Sequence, residues 1–231
     1  MKEGKNKIPK IVFMVSDTLL TYMDGSLNDK AMEQITFVLS NLNNSGKHVA
    51  LVTAGAIVLG AEKVQMKERP ASLSEKQALA AIGQVGLMKA YQKHFNDFNQ
   101  IVAQVLLTRK VILREGRKER AYDTLNQLFS MGIIPIINEN DSVSTVDIEL
   151  EDNYPLALDI AELVNADLIV VTSDIKSRYN VLQCGSFKAN IVDSEEELYE
   201  VIEHLLENPA KREKSKPAFP QSLTEINFSD E

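Results

Sequence analysis

Apolar residues along this chain fall into two alternating patterns. Five short runs are nearly continuous in apolar side chains: Ile11 to Val15, Val49 to Thr53, Ile101 to Thr108, Ile133 to Ile137 and Leu168 to Thr172. Runs without polar alternation are how strands read when both faces of their sheet are covered. Between them the spacing changes to the 3.6-residue period of helices, as in the stripe Leu27, Ala31, Ile35, Val38, Leu39 and Leu42, closed by Gly46. Ser72-Leu-Ser-Glu75 and Ser194-Glu-Glu-Glu197 have capping-box spacing, in which serine and glutamate satisfy each other's backbone amides. This alternation predicts an α/β fold, a three-layer sandwich with a mainly parallel sheet and helices on both faces. No internal repeat is visible. The helix expected over 195–207 runs into a segment with Pro209, Pro217 and Pro220 and little periodicity. The folded unit is therefore expected over 8–207 and a disordered tail over 208–231.

Composition narrows the partners. The 231 residues are 44% hydrophobic and 25% charged, enough apolar material for a well-buried core. With 25 Lys and Arg against 33 Asp and Glu, the formal charge is −8. That disfavours nucleic acid or an anionic membrane as the main partner, because both need a net basic face. A small anion is still admissible, since a few backbone amides and one or two lysines can hold it locally. The single Cys184 allows no internal disulfide and fits a reducing, cytoplasmic setting. His48, His94 and His204 lie far apart and make no zinc pattern, so no metal ligands are assigned. The apolar runs fall short of the ~18 residues of a membrane span, and the start lacks the long apolar core of a signal peptide.

Four segments carry candidate chemistry. Val49 to Gly60 is a strand running through Gly55 directly into a helix, a geometry that aims helix N-terminal amides at the carboxyl edge of the sheet. The spacing of Gly55 and Gly60 imitates a phosphate-binding P-loop, but Ala61 and Glu62 stand where lysine and a hydroxyl are required, which excludes that motif. A glycine serving only a tight turn and close packing is the alternative. Gly132 to Asp141 is a buried strand ending in Asn138, Glu139, Asn140 and Asp141, at the edge where open α/β sheets bind ligands. Glu149 to Pro155 opens a helix, and there Asp152 or Asn153 can serve simply as an N-cap with Pro155 in the first turn. Val170 to Tyr179 again runs from an apolar strand into polar residues, with Lys176 and Arg178 as cations for a phosphate or as solvated loop charges.

These segments, in this order, resemble the amino acid kinase family, and within it the glutamate 5-kinases. The resemblance is carried by Val52-Thr-Ala-Gly-Ala-Ile57, Lys76-Gln-Ala-Leu-Ala-Ala-Ile-Gly-Gln84, Val102-Ala-Gln-Val-Leu-Leu-Thr-Arg109 and Gly132 to Asp141. It implies transfer of the γ-phosphoryl group of ATP, with Mg²⁺, to the side-chain carboxylate of L-glutamate, a step towards proline, in a cytoplasmic homo-oligomer. By resemblance Gly55, Asp141 and Asn153 match substrate-binding positions, and Ser173, Asp174 and Lys176 the nucleotide edge. The chain departs from the family pattern at Met14, where the family has a phosphate-binding lysine. Lys10 does not substitute, because four strand residues span about 13 Å. Ala54 replaces a serine, Tyr154 an aspartate and Ser177 a glycine, while the glycine-rich loop carrying a second lysine and the C-terminal RNA-modification-type domain are not found in this sequence. No catalytic residue is assigned. The resemblance thus implies a glutamate kinase of weak or lost activity. The alternative is a non-catalytic relative that binds an amino acid or regulates a partner.

Overall fold

The computed structural model describes residues 7–66, 68, 70–108, 112, 114, 116–143, 153–172, 179–184, 189–192 and 194–207. The expected tail lies outside them. Strands β1 (Lys10–Met14), β2 (His48–Val52), β3 (Val102–Leu107), β4 (Ile134–Glu139), β5 (Leu168–Thr172), β6 (Tyr179–Gln183) and β7 (Ala189–Val192) form one sheet in the order β3-β4-β2-β1-β5-β6-β7. The five strands from β3 to β5 are parallel, and β6 and β7 add antiparallel pairs at one end.

Successive strand residues serve opposite layers, as the pleat requires. Ile11, Phe13, Val49, Leu51, Ile136 and Val170 pack with helices α2 (Asp29–Asn44), α3 (Ala56–Lys63), α4 (Leu73–Asn96) and α7 (Glu195–Glu207). Val12, Met14, Ala50, Val52, Ile137 and Val171 pack with α5 (Arg117–Ser130) and α6 (Tyr154–Val164). A short α1 (Asp17–Leu20) follows β1. Helices therefore cover both faces, as the strand pattern predicted. Ser72 and Glu75 form a complete capping box at the start of α4. The amide of Glu197 donates to Ser194 at 3.2 Å.

Two features differ from the pattern read in the sequence. Among the described residues β3 is an edge strand, with Leu106 and the preceding Ile101 exposed, not one covered on both faces. Its apolar run carries no mark that a neighbour is missing. β6 and β7 were not anticipated, because YNVLQ and ANIV mix polar residues into very short segments.

Helices α3 and α4 meet backbone to backbone. A Cβ on Gly60 would stand 2.0 Å from the Leu79 carbonyl oxygen, and one on Gly83 only 1.7 Å from that of Ala56. Gly60 thus belongs to a helix crossing rather than to a phosphate loop. At the opposite, amino-terminal edge of the sheet, Lys10 donates to Asn126 Oδ1 at 2.6 Å and to the Val164 carbonyl at 3.0 Å, tying β1 to α5 and α6. Burial, and secondly Lys7, lower its proton affinity, against Asp167. Nearby, the His48 ring stacks on Phe129 at 5.2 Å with 4° between planes, and its buried Nδ1 has no hydrogen-bond partner among the described residues. Burial, then Lys10, push the His48 pKa below its ordinary value.

Two predictions follow the packing. Gly83→Ala should cost about 1–3 kcal/mol or more, because backbone rather than a flexible side chain must give way. Gly86→Ala, three residues on in open space, should instead gain about 0.5–1 kcal/mol; urea unfolding of both variants checks the contrast. Because His48 binds its proton less readily when folded, the unfolded chain takes up the extra proton once pH drops below about 6.5. The stability His48 confers is complete above that pH and lost as pH falls through the depressed folded value. His48→Phe should flatten this acid-side decline in a series of melting temperatures from pH 8 to 5.

Candidate functional site at the carboxyl edge

All six residues of β4 are buried, including Asn138 at 2% and Glu139 at 4% exposure. Two polar side chains on a covered central strand must find partners. Asn138 Oδ1 accepts from the Glu139 amide at 2.9 Å and from Asn153 Nδ2 at 2.8 Å, while Asn138 Nδ2 donates to Gln84 Oε1 at 2.8 Å. Asn153 Nδ2 also donates to the Thr53 carbonyl. A chain of amides therefore runs from the end of β2, through the residue before α6, across the end of β4 and into α4.

The orientation of these amides is fixed by two backbone groups. The Glu139 N–H can only donate, so Asn138 must turn its oxygen towards it, and Nδ2 then faces Gln84. The Thr53 carbonyl can only accept, so Asn153 must point Nδ2 at it. Asn153 occupies the N-cap position of α6, yet its side chain makes no cap hydrogen bond. It is spent on the sheet edge instead. Beneath, the Thr53 hydroxyl lies 2.8 Å from that of Tyr91, whose phenol is held well above its usual pKa by burial, with the Thr53 bond opposing.

Gly55 N-caps α3 with φ +94°, a left-handed conformation that favours glycine, and Asp17 packs within 3.7 Å of where its Cβ would be. After β4, the Asn140 amide donates to the Leu107 carbonyl at 2.8 Å, and a turn carries Asp141. A cleft of about 610 Å³ opens here, lined among others by Ala56, Gln84, Lys89, Glu139, Asn140 and Asp141. Asp141 and the neighbour of Gly55 thus share one cleft, and Asn153 reaches the same edge through its hydrogen bonds. Met14 is 3% exposed and packed in the α5–α6 layer between Val52 and Val171. Ser173, Asp174, Lys176 and Ser177 lie outside the described residues. Among the described residues, no group of three His, Cys, Asp or Glu side chains could hold a metal, and no helix is long and apolar enough to cross a membrane.

Sequence reasoning did not assign Gln84, Thr53 or Tyr91 to this edge. Gln84 ends the Lys76 to Gln84 motif, but nothing in a helical stripe tells which polar side chain turns inward.

The sequence model of the amino acid kinase family matches residues 9–177. The chain belongs to the amino acid kinase family. It is similar to the glutamate 5-kinase of Clostridium perfringens, 40% identical over 184 residues, covering 78% of this chain and 68% of that one. It is similar also to the glutamate 5-kinase of Listeria monocytogenes, 42% identical over 183 residues, covering 78% and 66%. The chain thus spans about two thirds of the length of these relatives. Among solved structures, UMP kinase from Ureaplasma parvum aligns with TM-score 0.49 and 11% identity, over 72% of this chain and 70% of that one.

In this member of the amino acid kinase family, Asn138 joins both halves of the edge. Asn138→Ala should leave Gln84 Oε1 and one Asn153 hydrogen without their partner, costing about 1–3 kcal/mol for each buried group stranded. Urea unfolding should show a lowered midpoint with an unchanged slope.

Proposed function

We propose that this chain binds L-glutamate at the cleft beside Asp141 and Asn153 and phosphorylates its side-chain carboxylate from ATP, slowly, in the cytoplasm. The observation that carries this reading is the hydrogen-bonded edge itself, because it holds Asn153 on a rigid element next to a cleft containing Asp141. Both amide hydrogens of Asn153 are committed, which leaves Oδ1 as the side-chain atom it can offer a ligand. An acceptor beside a carboxylate suits an ammonium, the one feature every α-amino acid offers. Gly55 turns the chain so that the first amides of α3 meet the same edge, where they favour negative charge. ATP would arrive as its magnesium complex, and the magnesium would offset phosphate charge while donor and acceptor are brought together. By resemblance, Ser173, Asp174 and Lys176 would meet the nucleotide.

Positioning and electrostatics supply most of the catalysis in phosphoryl transfer. Met14 brings no charge to the position where the family has lysine, and losing one such donor costs about 2.7–4 kcal/mol, a hundred- to a thousandfold in rate. That observation favours a second reading, a non-catalytic relative that keeps amino-acid binding for regulation.

Trapping glutamyl phosphate with hydroxylamine tests both. Slow product formation, abolished in Asp141→Ala, is the expected outcome, together with a raised melting temperature in millimolar L-glutamate. Met14→Lys should restore little, since the new ammonium would have to displace apolar neighbours. Glutamate-dependent stabilisation without product would favour the second reading. Absence of both effects would remove glutamate as the ligand.

A further inference from the structure

Gln84 has no role in phosphoryl transfer as derived above, yet it ends the chain of amides at the site. Its backbone is held firmly, because the adjacent Gly83 rests against Ala56 and Gly60 of α3. Its Oε1 accepts from Asn138 at 2.8 Å, and Asn138 accepts in turn from Asn153. Its other amide atom, Nε2, is buried with no hydrogen-bond partner among the described residues. An unpaired buried donor is a cost to folding. Methionine has nearly the same shape and would remove that unpaired donor, but it would strand the buried Asn138 Nδ2 instead. What the amide supplies is the acceptor for Asn138.

We propose that Gln84 is a positioning residue, which sets the orientation of Asn153 through Asn138 and so tunes the affinity of the site for an α-amino acid. The proposal rests on the glutamate reading for its ligand, but not for the coupling itself. Without the Gln84 acceptor, Asn138 Nδ2 is unpaired and the Asn138 amide loses one of the bonds that define its plane. Asn138 Oδ1 still meets the Glu139 amide and Asn153, but its plane can now tilt about those bonds, and the oxygen that holds Asn153 tilts with it, so that Asn153 is less firmly oriented. The route from α4 to the site also explains why a helix on one face of the sheet should matter to a residue that opens a helix on the other.

The test compares wild type, Gln84→Met and Gln84→Glu. Glutamate retains an oxygen that accepts from Asn138 Nδ2, whereas methionine does not. Side-chain amide resonances of Asn153, assigned by their loss in Asn153→Asp, should move in Gln84→Met and stay near wild type in Gln84→Glu, without any ligand present. Calorimetric titration with L-glutamate should show roughly tenfold weaker binding in Gln84→Met, about what one lost hydrogen bond is worth, and rescue to within a few-fold in Gln84→Glu. Asn153 resonances unmoved by Gln84→Met overturn the coupling. Equal affinities in wild type and Gln84→Met, or equal losses in both variants, overturn the positioning role. If wild type itself gives no heat, the glutamate reading falls, and the resonances alone decide whether Gln84 governs Asn153.

Discussion

A parallel sheet covered on both faces leaves no water for polar groups in its central strands, and β4 nevertheless ends in two polar residues. Everything at the carboxyl edge answers to that constraint. Asn138 is nearly inaccessible, so each of its polar atoms has to be met by protein. The Glu139 amide, Asn153 and Gln84 meet them, and in doing so they bring together β2, β4, α4 and the start of α6. The requirement to satisfy a buried amide is what organises the site.

The amide chain works only because its supports are rigid. Gly60 and Gly83 let α3 and α4 touch through their backbones, which fixes how far Gln84 stands from the β2–α3 turn at Gly55. Any side chain at Gly83 would push α4 outward and draw the Gln84 oxygen away from Asn138. The left-handed turn at Gly55 then places the first residue of α3, Ala56, in the wall of the cleft. Close packing on one face of the sheet is thereby converted into polar geometry at its edge.

The two ends of β1 differ in charge. At the amino-terminal edge Lys10 sits over the rings of Tyr122 and Phe129 and meets the last carbonyl of α6, where a helix dipole favours a cation. At the carboxyl edge the first strand ends in the buried, uncharged Met14. Lys10 is committed to holding layers together and lies at the far end of the same strand. The only lysine of β1 is structural, and this follows from where it sits rather than from what it is.

Much of the fold was legible in the sequence, since continuous apolar runs and helical stripes respond to burial residue by residue. The five parallel strands, both helix layers and the polar ends of β2 and β4 could all be read that way. Edge position could not, because the apolar run of β3 looks the same whether or not a neighbour covers it. β6 and β7 were too short and too mixed to carry a period. At the site, Asp141 and Asn153 stood out through their place after a strand and before a helix, but Asn153 as a plain N-cap was equally admissible. Only the tertiary structure decided that its side chain turns away from its own helix, towards Thr53 and Asn138, and that Gln84 joins them from a helix 54 residues earlier in the chain than Asn138. Hydrophobic pattern is a local property of a sequence, whereas the partner of a buried amide is chosen by whatever the packing of distant elements brings within hydrogen-bond reach.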